Sequence, residues 1–272
     1  MPGPFVSLLS DFGSRDPSAA IMRGVVLGIA PDARIVDISH DVRKFAIRDG
    51  ALLLWCALPY LPVGAHVAVV DPGVGTARLP VAVGTGRGDV LIGPDNGLLV
   101  AAARKLDGIR AVHELRDPRF RLPVISTSFH GRDIFAPAAA HLASGVPIEA
   151  LGPAVDPARL VPSPIADAEV ADGVLGSSVV YVDTFGNVKL AGLRSDLEAA
   201  LGRLAPGDPL RLTVGDGTPI DTTWEATFGD VPAGETLVYE DSYRRICLAA
   251  READAAAKHG LAEDVAVRIE RR

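Results

Sequence analysis

The segment FVSLLSDFGSRDPSAAIMRGVVLGI (Phe5–Ile29) decides the fold. Phe5–Leu9 is a short apolar run without strict alternation, which suits a strand covered on both faces rather than a half-exposed one. SDFGSRDP then supplies turn-forming residues, and Ser18–Ile29 spaces its apolar residues at helical intervals. A buried strand, a polar loop and a helix form the opening half of a βαβ unit, whose next strand runs parallel to the first. Gly24 and Gly28, four apart in that helix, are expected to let it pack closely on a strand.

The same alternation extends outward. Ile35–Ile38, His66–Val70, Val81–Val83 and Val90–Ile92 read as further strands, and Ile47–Leu58, Leu98–Lys105 and Ile134–Ser144 as helices. Residues 1–155 are therefore expected to form an α/β domain with a largely parallel sheet. GPAVDPARLVPSPIADAEV (Gly152–Val170) is rich in proline and small residues and has no helical period, which places a linker at 156–170. Beyond it, Gly173–Val182, Val188–Leu190, Leu210–Val214, Thr236–Tyr239 and Ile246–Ala249 read as strands between Gly, Pro and Asp turns. Val265–Ile269 alternates cleanly. Residues 171–272 are expected to form a smaller antiparallel all-β domain, barrel-like in shape.

Composition narrows the function classes. Of 272 residues 48% are hydrophobic, enough for a core, and the net charge is −7. Phosphate backbones need clustered cations, and pairs such as Arg244-Arg245 and Arg271-Arg272 are too short, so no nucleic-acid partner is expected. Cys56 and Cys247 stand far apart, in keeping with two ordinary thiols in a reducing compartment. No His/Cys cluster has metal-ligand spacing. The first residues lack a basic leader, so neither signal peptide nor anchor is expected. The apolar run Ala51–Leu58 is too short to span a bilayer. A soluble, cytoplasmic protein with no membrane partner is the expectation.

Four loops carry the chemistry. Ligands of α/β sheets gather beyond the carboxyl ends of the strands. Asp11 directly follows the first strand, where a carboxylate can bind both hydroxyls of a ribose; Asp16 and Ser18 lie just before a helix and also suit capping. Asp71-Pro72-Gly73-Val74-Gly75-Thr76-Ala77-Arg78 is a strand end, a turn and an arginine. It reads equally as a surface salt bridge or as an Arg folded onto an Asp inside a cleft, where it orients a charge. Phe129-His130-Gly131-Arg132-Asp133 opens a helix, whose positive end and free N–H groups face any ligand. His130 beside a glycine is a candidate base, while Asp133 suits a cap or a pair with Arg132. In Asp183-Thr184-Phe185-Gly186-Asn187, Phe185 can stack on a flat heterocycle and Asn187 can satisfy an adenine edge, although a β-turn explains the segment equally well. Gly93-Pro94-Asp95-Asn96-Gly97 reads as a turn before a helix.

Taken in order from residue 8 to 188, LLSDFGSRD, DPGVGTAR, IGPDNGLL, FHGRDIFAPAAAHLA and VDTFGNV resemble the S-adenosylmethionine (SAM) hydroxide adenosyltransferases, relatives of the fluorinase and chlorinase. The resemblance implies metal-free hydrolysis of SAM to adenosine and methionine, with SAM as substrate and no cofactor. It also implies a homotrimer whose active sites lie where one subunit's N-terminal domain meets a neighbour's C-terminal domain. The family's residues around the water fall on Asp71, Arg78 and His130, and its ribose ligand falls on Asp11. Methionine contacts fall on Asp16, Ser18, Asp183 and Ser242, and adenine contacts on Phe185 and Asn187. Phe45 matches an aromatic near the ribose and sulfonium; Phe129 and Gly131, flanking His130, join the substrate-binding set.

The chain departs from the family in one place. An Asn-Ser-x-Gly segment and a later Asn are replaced by Asp241-Ser242-Tyr243-Arg244 and by Arg251, which alters the adenine and methionine side of the pocket. Two other functions compete. A halogenase forming a 5′-halonucleoside is disfavoured because the fluorinase carries Tyr at the position of Asp71 and Tyr-Ser at His130-Gly131. A non-catalytic adenosyl-ligand binder would bind SAM without releasing methionine.

Overall fold

The computed structural model describes residues 4–217 and 219–272. Residues 1–3, on which the reading of the N-terminus partly falls, lie outside the described residues. Two compact units emerge, Met1–Pro164 and Ile165–Arg272.

The first unit alternates strands and helices: β1 (Phe5–Ser10), α1 (Ser18–Ile29), β2 (Arg34–Ser39), α2 (Ile47–Ala57), β3 (Ala65–Val69), β4 (Pro80–Thr85), β5 (Val90–Pro94), α3 (Val100–Lys105), β6 (Ile109–Glu114) and α4 (Ala136–Ala143). Its sheet has the order β2-β1-β3-β5-β4-β6. The pairs β1–β2, β1–β3 and β3–β5 are parallel, whereas β4 runs antiparallel to β5 and β6. The reversal has a simple cause. A parallel crossover takes a dozen or more residues, usually with a helix, and the stretch from Val69 to Pro80 has no helix. β6 is a strand that the pattern reading did not separate from its surroundings.

β1 and β3 are buried throughout, as a doubly covered strand must be. Val6 and Leu8 face a core shared with Met22 and Val26 of α1 and with the alanines of α4. Leu9 points the other way, towards Gly50 of α2. One expectation fails here. Gly24 and Gly28 are exposed and a Cβ at either would meet nothing within 4 Å. α1 buries the Met22/Val26 stripe instead, and the close approach is made by Ala136, Ala138, Ala139 and Ala140 on α4.

The second unit contains β7 (Glu169–Ala171), β8 (Val174–Val182), β9 (Val188–Leu193), α5 (Arg194–Leu201), β10 (Asp208–Val214), β11 (Ile220–Trp224), β12 (Thr236–Glu240), β13 (Arg245–Ala250), α6 (Ala255–His259) and β14 (Ala266–Arg271). The order β14-β10-β11-β12-β13-β9-β8 closes through antiparallel pairing of β14 with β8, giving a seven-stranded barrel. All its pairings are antiparallel except the short β11–β12 contact. Leu175, Val188, Leu190, Leu212, Val238, Leu248 and Ile269 fill the interior. The expected α/β unit followed by an antiparallel barrel is the architecture observed. Within the stretch read as a linker, Pro157–Arg159 forms a 3-10 turn and Glu169–Val170 opens β7. Among the described residues no helix is long and apolar enough to cross a membrane.

Candidate active site

Register places the key carboxylates. Ser10 at the end of β1 pairs with Val69 at the end of β3, so the residues that follow, Asp11 and Asp71, emerge side by side. They line a cavity of about 290 Å³ together with Phe12, Lys44, Phe45, Val74, Ser128, Phe129, His130 and Gly131.

The turn after Asp71 folds Arg78 back onto it. Arg78 Nε donates to both Asp71 oxygens at 3.0 and 3.1 Å, and Nη2 adds a bond to Oδ2. This bidentate fork fixes both side chains, which are only 9% and 4% exposed. The surface-salt-bridge alternative is thereby excluded. Nη2 also lies 2.9 Å from His130 Nδ1. A guanidinium can only donate, so Nδ1 must accept, and the neutral ring carries its hydrogen on Nε2. Burial first, and then the Arg78 charge, hold the His130 pKa below its usual value.

Glycines make the convergence feasible. Gly75 adopts φ +77°, and a Cβ there would stand 2.4 Å from the Thr127 carbonyl oxygen, so the loop bearing Asp71 and Arg78 lies directly on the loop leading to His130. A Cβ on Gly131 would meet Met22 Sδ at 3.1 Å. The chain after His130 differs from the simple helix start expected. Gly131–Phe135 forms a wide π-type turn before α4. Pro137 has no N–H to give the Asp133 carbonyl, which accepts from Leu122 N at 2.9 Å instead. The Asp133 side chain is buried, pairs with Arg132 and accepts from Ser126 N at 2.8 Å, anchoring the lead-in to His130.

A strap at residues 40–46 closes over Asp11. Gly13 N donates to the His40 carbonyl, Val42 N to the Ser10 carbonyl, and Phe45 N to Asp11 Oδ2 at 2.9 Å. Phe45 accepts a left-handed φ of +65° and leaves its ring 69% exposed. Capping is not what Asp16 and Ser18 do: Pro17 holds the N-cap position of α1 with no side-chain cap, and Asp16 Oδ1 accepts from Ser18 N at 2.8 Å and from its hydroxyl in a turn just ahead of the helix. Those bonds lower the Asp16 pKa.

The remaining predicted residues belong to the barrel unit and line a separate cavity of about 680 Å³ with Asp183, Phe185, Asn187, Lys189, Phe228, Tyr239, Asp241, Ser242 and Tyr243. Asp183 accepts from Phe185 N, Asn187 N and Asn187 Nδ2, so the β-turn reading is correct for its backbone. Asn187 retains one N–H and its carbonyl oxygen, and Phe185 is 78% exposed. In the segment that departs from the family, Asp241 Oδ1 accepts from Tyr243 N and Arg245 N at 2.8 and 2.9 Å, while Lys189 Nζ donates to Oδ2 at 2.6 Å. Arg251, the other departure, donates to the Val231 carbonyl at 3.0 Å and does not line this cavity. Lys44, Lys189 and Tyr239 escaped the sequence reading because none belongs to a loop with recognisable punctuation, and Phe12 because only the polar residues of its SDFGSRDP loop carry a chemical signal. Among the described residues no group of three metal-ligating side chains exists.

Comparison with known proteins shows the family. The family model of the SAM hydroxide adenosyltransferase N-terminal domain matches residues 6–152, and that of the C-terminal domain residues 177–268. An "(R)-S-adenosyl-L-methionine hydrolase" from Salinispora tropica is 44% identical over 250 residues, covering 91% of this chain and 90% of its own. A fluorinase from Nocardia brasiliensis is 29% identical, covering 98% and 96%. The crystal structure of an uncharacterized conserved protein from Thermotoga maritima superposes with a TM-score of 0.89 at 30% identity, covering 98% of this chain and all of that one.

Proposed function

The chain belongs to the SAM hydroxide adenosyltransferase family, and from that premise we propose that it hydrolyses SAM to adenosine and methionine by in-line attack of water on C5′. The observation that carries this reading is the hydrogen-bonded chain Asp71–Arg78–His130 opening onto the cavity that Asp11 shares. The leaving group is a neutral thioether released from a sulfonium, so C5′ needs an aligned nucleophile more than a strong one.

The neutral His130 ring, with its hydrogen on Nε2, supports one division of roles. With Nδ1 tied to Arg78, His130 offers Nε2–H to the water oxygen and orients its lone pair. The water donates to the Asp71 carboxylate, which takes the proton as the C5′–O bond forms and the oxygen turns acidic. Arg78 acts by fixing both partners. One water and the SAM cation give adenosine, methionine and one proton. Asp11, with one oxygen held by Phe45 N–H, presents the other to the ribose hydroxyls. Asp16, Ser18, Asp183 and Ser242 contact the methionine part, Phe185 and Asn187 the adenine, and Phe45, Phe129 and Gly131 the ribose and sulfonium region. The two cavities each supply part of this set, which supports a homotrimer in which different subunits complete each site. The relative's name supports extending the R configuration at sulfur to this substrate. Free thiols at Cys56 and Cys247 support a reducing, cytoplasmic setting, and the acidic net charge suits a small cationic substrate.

The decisive experiment supplies each sulfonium epimer of SAM in ¹⁸O-labelled water with excess chloride, and analyses products by HPLC and mass spectrometry. Heavy oxygen is expected in the 5′-hydroxyl of adenosine and not in methionine, with the R epimer consumed. A chloronucleoside would instead make the protein a halogenase, and SAM binding without methionine release would make it a sensor. Light scattering of the purified chain reports the trimer.

A further inference from the structure

The turn Gly93-Pro94-Asp95-Asn96-Gly97 touches no part of the proposed chemistry, and its sequence reads as a simple connection. In the structure it holds both ends of the loop that carries Asp71 and Arg78. Asn96 Nδ2 donates to the carbonyl of Val70 at 2.9 Å, the peptide that leads into Asp71. The next residue upstream, Asp95, donates its backbone N–H to the carbonyl of Leu79 at 2.9 Å, the residue just after Arg78. Two adjacent residues thus grip the two necks of one loop. The turn is itself immobilised. Asn96 Oδ1 accepts from Leu98 N at 3.2 Å, and Asp95 Oδ1 accepts from Val161 N at 2.9 Å. Gly97 lies at φ +91° with no room for a Cβ, which would fall 2.4 Å from the Pro162 carbonyl oxygen.

The two grips differ in kind. The Asp95 bond is backbone to backbone and any residue could make it. The Asn96 bond reaches Val70 through a side-chain donor, and Asn supplies in one short group both that donor and the acceptor for Leu98. From this geometry we infer that Asn96 is a positioning residue for the Asp71–Arg78 pair, setting where the Asp71 carboxylate stands relative to His130. The inference rests on the reading of Asp71 as the group that receives the water's proton. Alignment is the main thing this reaction needs, and a displacement of about 1 Å at a reacting group can cost about a hundredfold in rate.

The test uses the full-length enzyme with Asn96→Asp and Asn96→Ala. Asn96→Asp keeps the acceptor for Leu98 and loses the donor to Val70; Asn96→Ala loses both. In each, kcat is expected to fall about 10- to 100-fold while KM changes less than about threefold. A purely structural role would lower Tm and leave kcat of the folded enzyme alone. Val112→Ala, in β6 and away from both cavities, supplies a destabilised control with normal kcat. The sharper readout is a double-mutant cycle: in the Asp71→Ala background, Asn96→Asp should cost little further. Full additivity, or unchanged kcat in the folded Asn96→Asp enzyme, overturns the inference. If neither variant folds, the cycle is run with Asn96→Ser, whose hydroxyl is too short to span to Val70. A wild-type enzyme that leaves SAM intact would sink the functional reading itself, a result distinct from any behaviour of the variants.

Discussion

The two cavities of this chain are built on opposite principles. Around Asp71, the central side chains have fixed partners before any ligand arrives: a bidentate guanidinium on Asp71, an imidazole accepting from that guanidinium, and loop carbonyls pinned by a neighbouring turn. Around Phe185, the turn backbone is equally well held, but the ring that would meet a ligand stands in solvent, and Arg244 occupies a left-handed conformation at φ +72°. Chemistry needs preorganised charge, because dipoles that must reorient during the reaction lose most of their effect. Recognition of a flat base needs only a face to stack on. The same contrast is expected to leave more room for change in the barrel unit than around Asp71, Arg78 and His130, in keeping with what the sequence resemblance implies.

Removing the centre of the preorganised half should have the largest effect. Asp71→Ala deletes the proposed proton acceptor and frees Arg78, and kcat is expected to fall about 100- to 10,000-fold with SAM binding retained, as single-turnover assays and calorimetry would show. Wild-type turnover in that variant would place the chemistry elsewhere. Gly75→Ala probes the packing that brings two loops together. Its left-handed φ costs about 1–3 kcal/mol for alanine, and the Cβ must push against Thr127, so Tm should fall and kcat should drop about tenfold as His130 and Asp71 separate. A variant that loses stability but keeps kcat would show that the loops need not touch.

Acidity offers a gentler lever on the same contact. Burial and Arg78 lower the folded-state pKa of His130, so the neutral ring is the native form and its protonation opposes the fold. The sign follows: stability and activity are both present at neutral pH and are lost as pH falls, with the activity limb below the ordinary histidine value of about 6.5. Protonation puts a hydrogen on Nδ1 facing Arg78, so kcat should decline about tenfold per pH unit under that limb. His130→Gln, which cannot titrate, should be slower and should lose the limb; an unchanged limb in His130→Gln would assign it to another group.

The same contrast governs how much was legible in the sequence. The parallel strands showed in Phe5–Leu9 and His66–Val70 because burial on both faces writes continuous apolar runs. Asp71 and Arg78 showed as candidates because turn chemistry separated them from the strands around them. Their mutual geometry did not, since a separation of seven positions leaves salt bridge and active site equally allowed. The π-type turn at Gly131–Phe135 depends on where the Asp133 carbonyl finds a donor, a tertiary fact. Gly24 and Gly28 misled because spacing alone cannot tell which face of a helix is buried. Asn96 read as a turn residue because its partner, the Val70 carbonyl, lies 26 residues away.

The smallest expected effect tests the barrel side. Arg244 takes a conformation, φ +72°, that costs a non-glycine residue about 1–3 kcal/mol, at a position where the sequence resemblance implies glycine. Asp241 still accepts from the N–H groups of Tyr243 and Arg245, so the turn keeps its shape without the glycine. Arg244 gains only an exposed ion pair with Glu240 at 3.5 Å, worth about 0–1 kcal/mol. Arg244→Gly relieves the strain but adds about 0.5–1 kcal/mol of backbone entropy to the unfolded state. The balance favours the variant by under about 1 kcal/mol, a rise of about 2 °C in Tm by calorimetry. An arginine kept at such a position for ligand contact would show itself as a raised KM for SAM in the stabilised variant. A fall in Tm would mean that Arg244, rather than Asp241, holds the turn, and the recognition half would then be as preorganised as the catalytic one.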